Sequence, residues 1–418
     1  MQMNRRFFLH RGALAIAGTA AIPSFLVRSV MAEVGSALSQ RLVVIFQRGA
    51  ADGLNVVVPY REKNYYSMRP TIAIPQNQVV DLDGFFGLHP SLASFKPLYD
   101  QGHLAVVHAC GSPDMSRSHF DAQDYMESGT PGVKGTSDGW LNRALQAEDL
   151  RHRCEGTCEH TAFRALALGA DVPLTLAGSV PAIALNNVNG FTVAGRGPAP
   201  SPAASAFEAM YAGSGDHILH AAGDETFEAV KMLREANPAQ YTPSAGAQYP
   251  NSEFGNSMKQ IAQLLKANLG VEAAFTDVGG WDTHQNQGSV NGQLANRLSD
   301  FSAAIAAFWR DMGDGAENVT LVTMSEFGRT ARENGTGGTD HGHANAMFVL
   351  GGKVKGGKVY GRWPGLDNAQ LNEGRDLALT TDYRQVLGEV VANSLGADNL
   401  EVVFPGAGIA RNKFLRLV

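Results

Sequence analysis

The sequence predicts an α/β fold on a mostly parallel sheet, and three observations carry that prediction. Short runs at 41–47, 104–110, 321–324 and 346–350 are almost wholly apolar, the composition of strands covered on both faces. Helical patterns at 258–269, 293–312 and 382–397 lie among them. Acidic and imidazole side chains crowd the positions directly after several of these runs, where open α/β sheets bind ligands.

The chain has 418 residues, 44% of them apolar, enough to bury one large α/β core or two smaller ones. A formal charge of −6 and the absence of any block of like charge exclude a basic nucleic-acid binder. The first residues read as an address. Arg5-Arg6-Phe7-Phe8-Leu9 is a twin-arginine pattern, followed by an uncharged stretch at 12–27 and small residues ending at Ala32. The uncharged stretch contains Pro23 and is short for a membrane span. Cleavage after Ala32 removes a signal peptide (1–32) and four arginines, taking the charge from −6 to −10 and leaving a mature domain at 33–418 with no stable membrane span. An uncleaved anchor is the alternative. The expected destination is the periplasm or the medium, reached through the twin-arginine translocase.

Cys154 and Cys158 lie close together, with His160 two residues on. In an oxidising compartment a local disulfide is the default, and a structural zinc site is one ligand short. Cys110 ends an apolar run and reads as a buried thiol.

From the start of the mature chain, the strand at 41–47 runs into Arg48-Gly-Ala-Ala-Asp52-Gly53. Asp52 stands where a metal ligand is wanted, although taken alone Asp52-Gly53 reads as a turn. After the strand at 104–110, Ser118 with Asp121 makes a capping box that opens a helix. A serine there sits among free backbone N–H groups, a place that suits a bound oxyanion or an alkoxide nucleophile, and equally an ordinary N-cap. Arg117 beside it could fork onto phosphate or sulfate, and His119 could donate a proton or bind metal. A helical pattern begins at 138–143, and 163–168 reads as a strand. Residues 195–251 shift to Pro, Ala, Gly and Ser with helical patches at 203–212 and 224–236, an insertion over the site; His217 and His220 within it read as solvated.

The strand at 271–277 leads to Gly279-Gly280-Trp281-Asp282-Thr283-His284. In extended backbone, positions two apart face one side, so Asp282 and His284 can reach one ion. The strand at 321–324 leads to Glu326, and the Gly-rich loop beyond it crowds Asp340, His341 and His343 ahead of the apolar run at 346–350. Carboxylates with imidazoles suit Zn²⁺ or a similar divalent ion; Mn²⁺, Mg²⁺ or Ca²⁺ are the other candidates.

The ordered motifs RGAADGLN, SPD…RSHFDAQ, DGWLNR, GGWDTH, SEFGRT and TDHGHANAMFVLGG resemble the exported twin-arginine family called domain of unknown function 1501, over nearly the whole mature chain. That family is in turn similar to the alkaline phosphatase and sulfatase superfamily. The resemblance implies a three-layer αβα sandwich around a central mixed sheet, two metals, and a nucleophile at a helix N-terminus. It places Asp52 on one metal, Ser118 as nucleophile, and Asp282 with His284 on the other metal. Two registers remain for the last ligands. Asp340-His341 matches the superfamily's Asp-His-Gly pair. Alternatively Glu326 takes the strand-end position, with Phe327 where a histidine is usual, and His341 or His343 closes the site. Cys110, Ser112 and Ser116 lack the proline and arginine spacing that formylglycine formation needs. The implied activity is metal-dependent hydrolysis of phosphate or related sulfate esters, small or polymer-borne. The rival is a non-catalytic periplasmic protein that binds metal, envelope or polymer; a phosphotransferase or mutase differs only in the acceptor.

Overall fold

Alternation along a single strand sets the layers of the molecule. In a strand covered on both faces, successive side chains enter opposite cores. Val43 and Ile45 join one apolar cluster, while Leu42, Val44 and Phe46 join another. The computed structural model describes residues 40–151, 160–188, 232 and 240–418. The expected signal peptide, Cys154, Cys158, His217, His220 and most of the expected insertion lie outside the described residues.

In chain order the principal elements begin with β1 (Arg41–Gln47), β2 (Leu104–Gly111), α1 (His119–Ser128), α2 (Trp140–Arg151), β3 (Ala165–Leu168) and β4 (Ile183–Leu185). They continue with α3 (Glu253–Lys266), β5 (Ala273–Val278), α4 (Gln293–Met312), β6 (Val319–Ser325) and β7 (Asn345–Gly351). The chain closes with β8 (Lys358–Tyr360), β9 (Thr381–Asp382) and α5 (Tyr383–Ser394). The strands form one sheet in the order β8-β2-β7-β6-β1-β5-β3-β4, with β9 also paired to β2. β7 runs antiparallel to both β2 and β6. The other pairings in this sheet are parallel. Helices α3 and α4 cover one face through Phe254, Met258, Leu298 and Phe301. Helices α2 and α5 cover the other through Trp140, Leu145, Tyr383 and Val390. This is a three-layer αβα sandwich on a mixed, mostly parallel sheet, as the sequence predicts.

Element boundaries shift where polar caps, rather than apolar spacing, set them. α3 begins five residues before the 258 start that apolar spacing suggests, because Ser252 accepts a hydrogen bond from the amide of Gly255 and opens a polar first turn. α5 begins one residue after Asp382, whose carboxylate caps the amide of Arg384. The expected N-cap at Ser118 is present. A small antiparallel sheet of two-residue strands, Val57–Val58, Val80–Asp81 and Gly87–Leu88, is too short for sequence periodicity to reveal.

One aromatic cluster ties the helical layer to the edge where the strands end. Phe301 is fully buried, stacks on Phe254 at 5.5 Å and meets Trp281 edge-on at 5.6 Å. Trp281 immediately precedes Asp282. Phe301→Ala should cost about 3–5 kcal/mol in urea-induced unfolding; a loss below about 1 kcal/mol would mean the cluster contributes little more than a surface site.

Candidate metal centre

Register decides what the strand ends can build. Gln47 of β1 lies opposite both Val278 of β5 and Ser325 of β6, so three parallel strands finish level. β2 also ends at this edge. β7 runs the other way, so it starts there, and the loop before it delivers His341. Five chain segments therefore meet at the carboxyl edge of the sheet. Gly49, at φ +118°, lets the β1 turn close against the β5 turn: a Cβ there would lie 2.8 Å from the backbone nitrogen of Asp282.

Three imidazoles converge at this edge. Nε2 of His341 lies 3.0 Å from Nε2 of His119 and 3.0 Å from Nε2 of His284. Asp282 joins them: Oδ1 is 3.0 Å from His284 Nε2 and 3.4 Å from His341 Nε2, and Oδ2 is 3.5 Å from His119 Nε2. His119, Asp282 and His341 each offer a donor atom within 4.8 Å of the other two. Behind every ring stands an acceptor for Nδ1. His119 Nδ1 meets Glu326 Oε1 at 2.8 Å, His284 Nδ1 meets Asp340 Oδ1 at 3.1 Å, and His341 Nδ1 meets the Arg117 carbonyl at 2.8 Å. These partners place the ring protons on Nδ1 and, in the neutral imidazoles, turn the three Nε2 lone pairs toward one another. Two imidazoles and a carboxylate, with His284 alongside, are a donor set for Zn²⁺ or a similar ion, with positions left for water or substrate. The side chains of Asp282 and His284 are 41% and 40% exposed, so solvent reaches the centre.

The charges are arranged to match. The hydrogen bond to Glu326 raises the His119 pKa, outweighing burial. Burial lowers that of His341. Burial pushes Asp282 up, but Arg329, His284 and His119 outweigh it and leave the carboxylate below its ordinary value. Glu326 is likewise lowered: burial raises it, while His119, Gln123 and the Gly49 amide stabilise the anion.

Of the residues expected from sequence, Asp282, His284 and His341 come together, and His119 joins them with a donor atom. Glu326 and Asp340 stand one layer back, each holding a ring rather than facing the centre. Asp52 is elsewhere. It is 1% exposed and clamped by Arg69, with NH1 to Oδ2 at 2.6 Å and NH2 to Oδ1 at 2.9 Å, and Gln287 Nε2 also donates to Oδ2 at 2.7 Å. An anion already neutralised by a forked arginine is a poor metal ligand, which corrects the expectation for Asp52. His343 is buried with Nε2 on the Ser112 carbonyl at 3.0 Å, away from the three rings. Arg117 NH2 donates to Glu373 at 2.6 Å and Asp376 at 2.7 Å, and its backbone carbonyl meets His341 Nδ1. Ser118 is exposed and accepts from the Asp121 amide at 3.5 Å. Sequence reasoning gave Arg329 no role. It sits in the SEFGRT motif, and its NH1 donates to Asp282 Oδ1 at 2.6 Å. An arginine three residues past a strand-end glutamate was the available signal.

A second acidic group holds no comparable opening. Glu148, Asp149 and His160 also bring donors together. Arg164 fills them, reaching Glu148 at 2.6 Å, Asp149 at 2.7 Å and Glu272 at 2.8 Å. For the first centre, Glu326→Ala removes the acceptor that fixes His119, and Zn²⁺ affinity in a calorimetric titration should fall roughly 10- to 100-fold. Unchanged affinity would contradict the assignment of Glu326 as the brace.

No curated protein matches the chain. Four solved chains do. The C-terminal periplasmic domain of EcEptC from Escherichia coli, in complex with Zn, is 10% identical over 76% of this chain and 74% of that one, at a TM-score of 0.35. The PsFucS1 sulfatase from Pseudoalteromonas sp. is 12% identical over 81% and 68%, at 0.33. Likeness this distant carries no argument, and the case for a metal centre rests on the side chains themselves. Residues 39–402 match a single family model, and the chain belongs to that family, described as "Protein of unknown function (DUF1501)".

Proposed function

We propose that this protein is an exported, metal-dependent hydrolase of phosphate or related sulfate esters. One observation carries the reading: three Nε2 atoms and the Asp282 carboxylate face one point that a divalent cation would satisfy. His119, Asp282 and His341 would hold the ion, with His284 beside them. When bound, it would supply positive charge to an ester oxygen and make a nearby hydroxyl or water more acidic.

The remaining chemistry falls to the chain. Ser118 is exposed at the N-terminus of the ten-residue α1 and is the chain neighbour of His119. Its Oγ attacks the central atom of the ester, the bond to the leaving oxygen breaks, and the proton lost by Oγ departs on that oxygen. Water then hydrolyses the serine ester and restores the hydroxyl. The free N–H groups of the first α1 turn receive the anionic oxygens.

A second reading, a non-catalytic protein that keeps the metal, is favoured by the ordinary capping bond of Ser118. Elemental analysis and turnover decide between them. The hydrolase should carry at least one Zn²⁺, Mn²⁺ or Ca²⁺ per chain and cleave p-nitrophenyl phosphate or sulfate, with kcat lowered at least about 1,000-fold in Ser118→Ala. Metal without turnover supports the second reading, and protein free of metal after purification without chelator contradicts both.

Export belongs to the same proposal, since the twin-arginine route carries folded, loaded proteins. Replacing Arg5 and Arg6 by lysine should leave the precursor in the cytoplasm and deplete the processed form from the periplasmic fraction. Unaltered processing would point to another route.

A further inference from the structure

The metal centre is tied to a buried ion pair by a run of hydrogen bonds that starts at Arg329, which donates to Asp282 on one side and into a relay toward Asp52 on the other. Arg329 donates from NH1 to Asp282 Oδ1 at 2.6 Å and from Nε to the Thr339 hydroxyl at 3.1 Å. Thr339 donates onward to Gln287 Oε1 at 3.0 Å, and Gln287 Nε2 donates to Asp52 Oδ2 at 2.7 Å. Asp52 is the terminus, an anion fixed by Arg69. Arg329, Thr339, Gln287, Asp52 and Arg69 are each no more than 2% exposed. Thr339 and Gln287 each accept from one neighbour and donate to the next, Gln287 Oε1 also accepting from the Thr283 hydroxyl at 2.7 Å, so the bonds from Arg329 to Asp52 reinforce one another.

A second strap reaches the same arginine through the backbone. Arg69 donates from NH2 to the Thr330 carbonyl at 2.8 Å and from Nε to the Ala331 carbonyl at 2.9 Å, the two residues after Arg329. A buried ion pair costs desolvation and adds little net stability, so its persistence calls for another use. Here Arg69 grips the segment that carries Arg329, and Asp52 reaches the Arg329 side chain through Gln287 and Thr339.

We infer that Arg69, Asp52, Gln287 and Thr339 are positioning residues which, through Arg329, hold the Asp282 carboxylate toward His119 and His341. The inference rests on the metal reading of that centre. It assigns Asp52 a part in metal binding without contact to the ion, and it makes Thr339 the point where the run can be cut without changing side-chain shape.

The test is Zn²⁺ affinity of the metal-stripped full chain, measured by chelator competition beside the melting temperature of the metal-free protein. Thr339→Val should bind Zn²⁺ roughly 10- to 100-fold more weakly than wild type, and Thr339→Ser should bind like wild type. Gln287→Leu should repeat the loss and carries the test if Thr339→Val does not fold. A purely structural role would lower the melting temperature and leave affinity untouched. Wild-type affinity in Thr339→Val and Gln287→Leu, or equal loss in Thr339→Ser, overturns the inference while the metal centre stands. Failure of the wild-type chain to bind Zn²⁺ overturns both.

Discussion

The Nε2 lone pair of His341 cannot face those of His119 and His284 at 3.0 Å unless positive charge lies among them. The Nδ1 bonds of the three rings favour that arrangement, because Glu326, Asp340 and the Arg117 carbonyl claim the Nδ1 protons. A proton on one ring is one source of the charge, and the hydrogen bond to Glu326 raises the readiness of His119 to accept it. A divalent cation is the other, and it satisfies all of the donors together with Asp282. Protons and metal therefore compete for one place, as they do wherever ligands must be deprotonated to bind.

The sheet exists to bring these groups to one edge. Level ends of β1, β5 and β6 set the Asp282 turn beside Glu326 and Gly49. The reversed β7 matters most: had it run parallel, its preceding loop would lie at the opposite edge and His341 would be a sheet's length away. Helix α1 enters the edge with His119, and Phe301 of α4 meets Trp281, the residue before Asp282, edge-on.

Much of this was legible in the chain. Wholly apolar runs gave the buried strands, and the carboxylates and imidazoles after them marked the working edge. Asp282 and His284 could be paired from spacing alone. What spacing could not tell was which acidic groups face a cation and which face a cationic side chain. Asp52 and Asp282 both follow central strands, yet Arg69, at the end of the short helix Lys63–Met68, forks onto the first. Glu326 and Asp340 were visible as acids but not as braces, because that distinction depends on side-chain direction. The antiparallel sense of β7 was equally hidden, since an apolar run reads the same both ways.

A crystal of the metal-bound protein, measured at the zinc absorption edge, tests the central claim most directly. The account predicts an anomalous peak about 2.0–2.2 Å from His119 Nε2, His341 Nε2 and an Asp282 oxygen. A peak placed instead among Glu148, Asp149 and His160, or no peak at saturating zinc with the three rings unmoved, would contradict it.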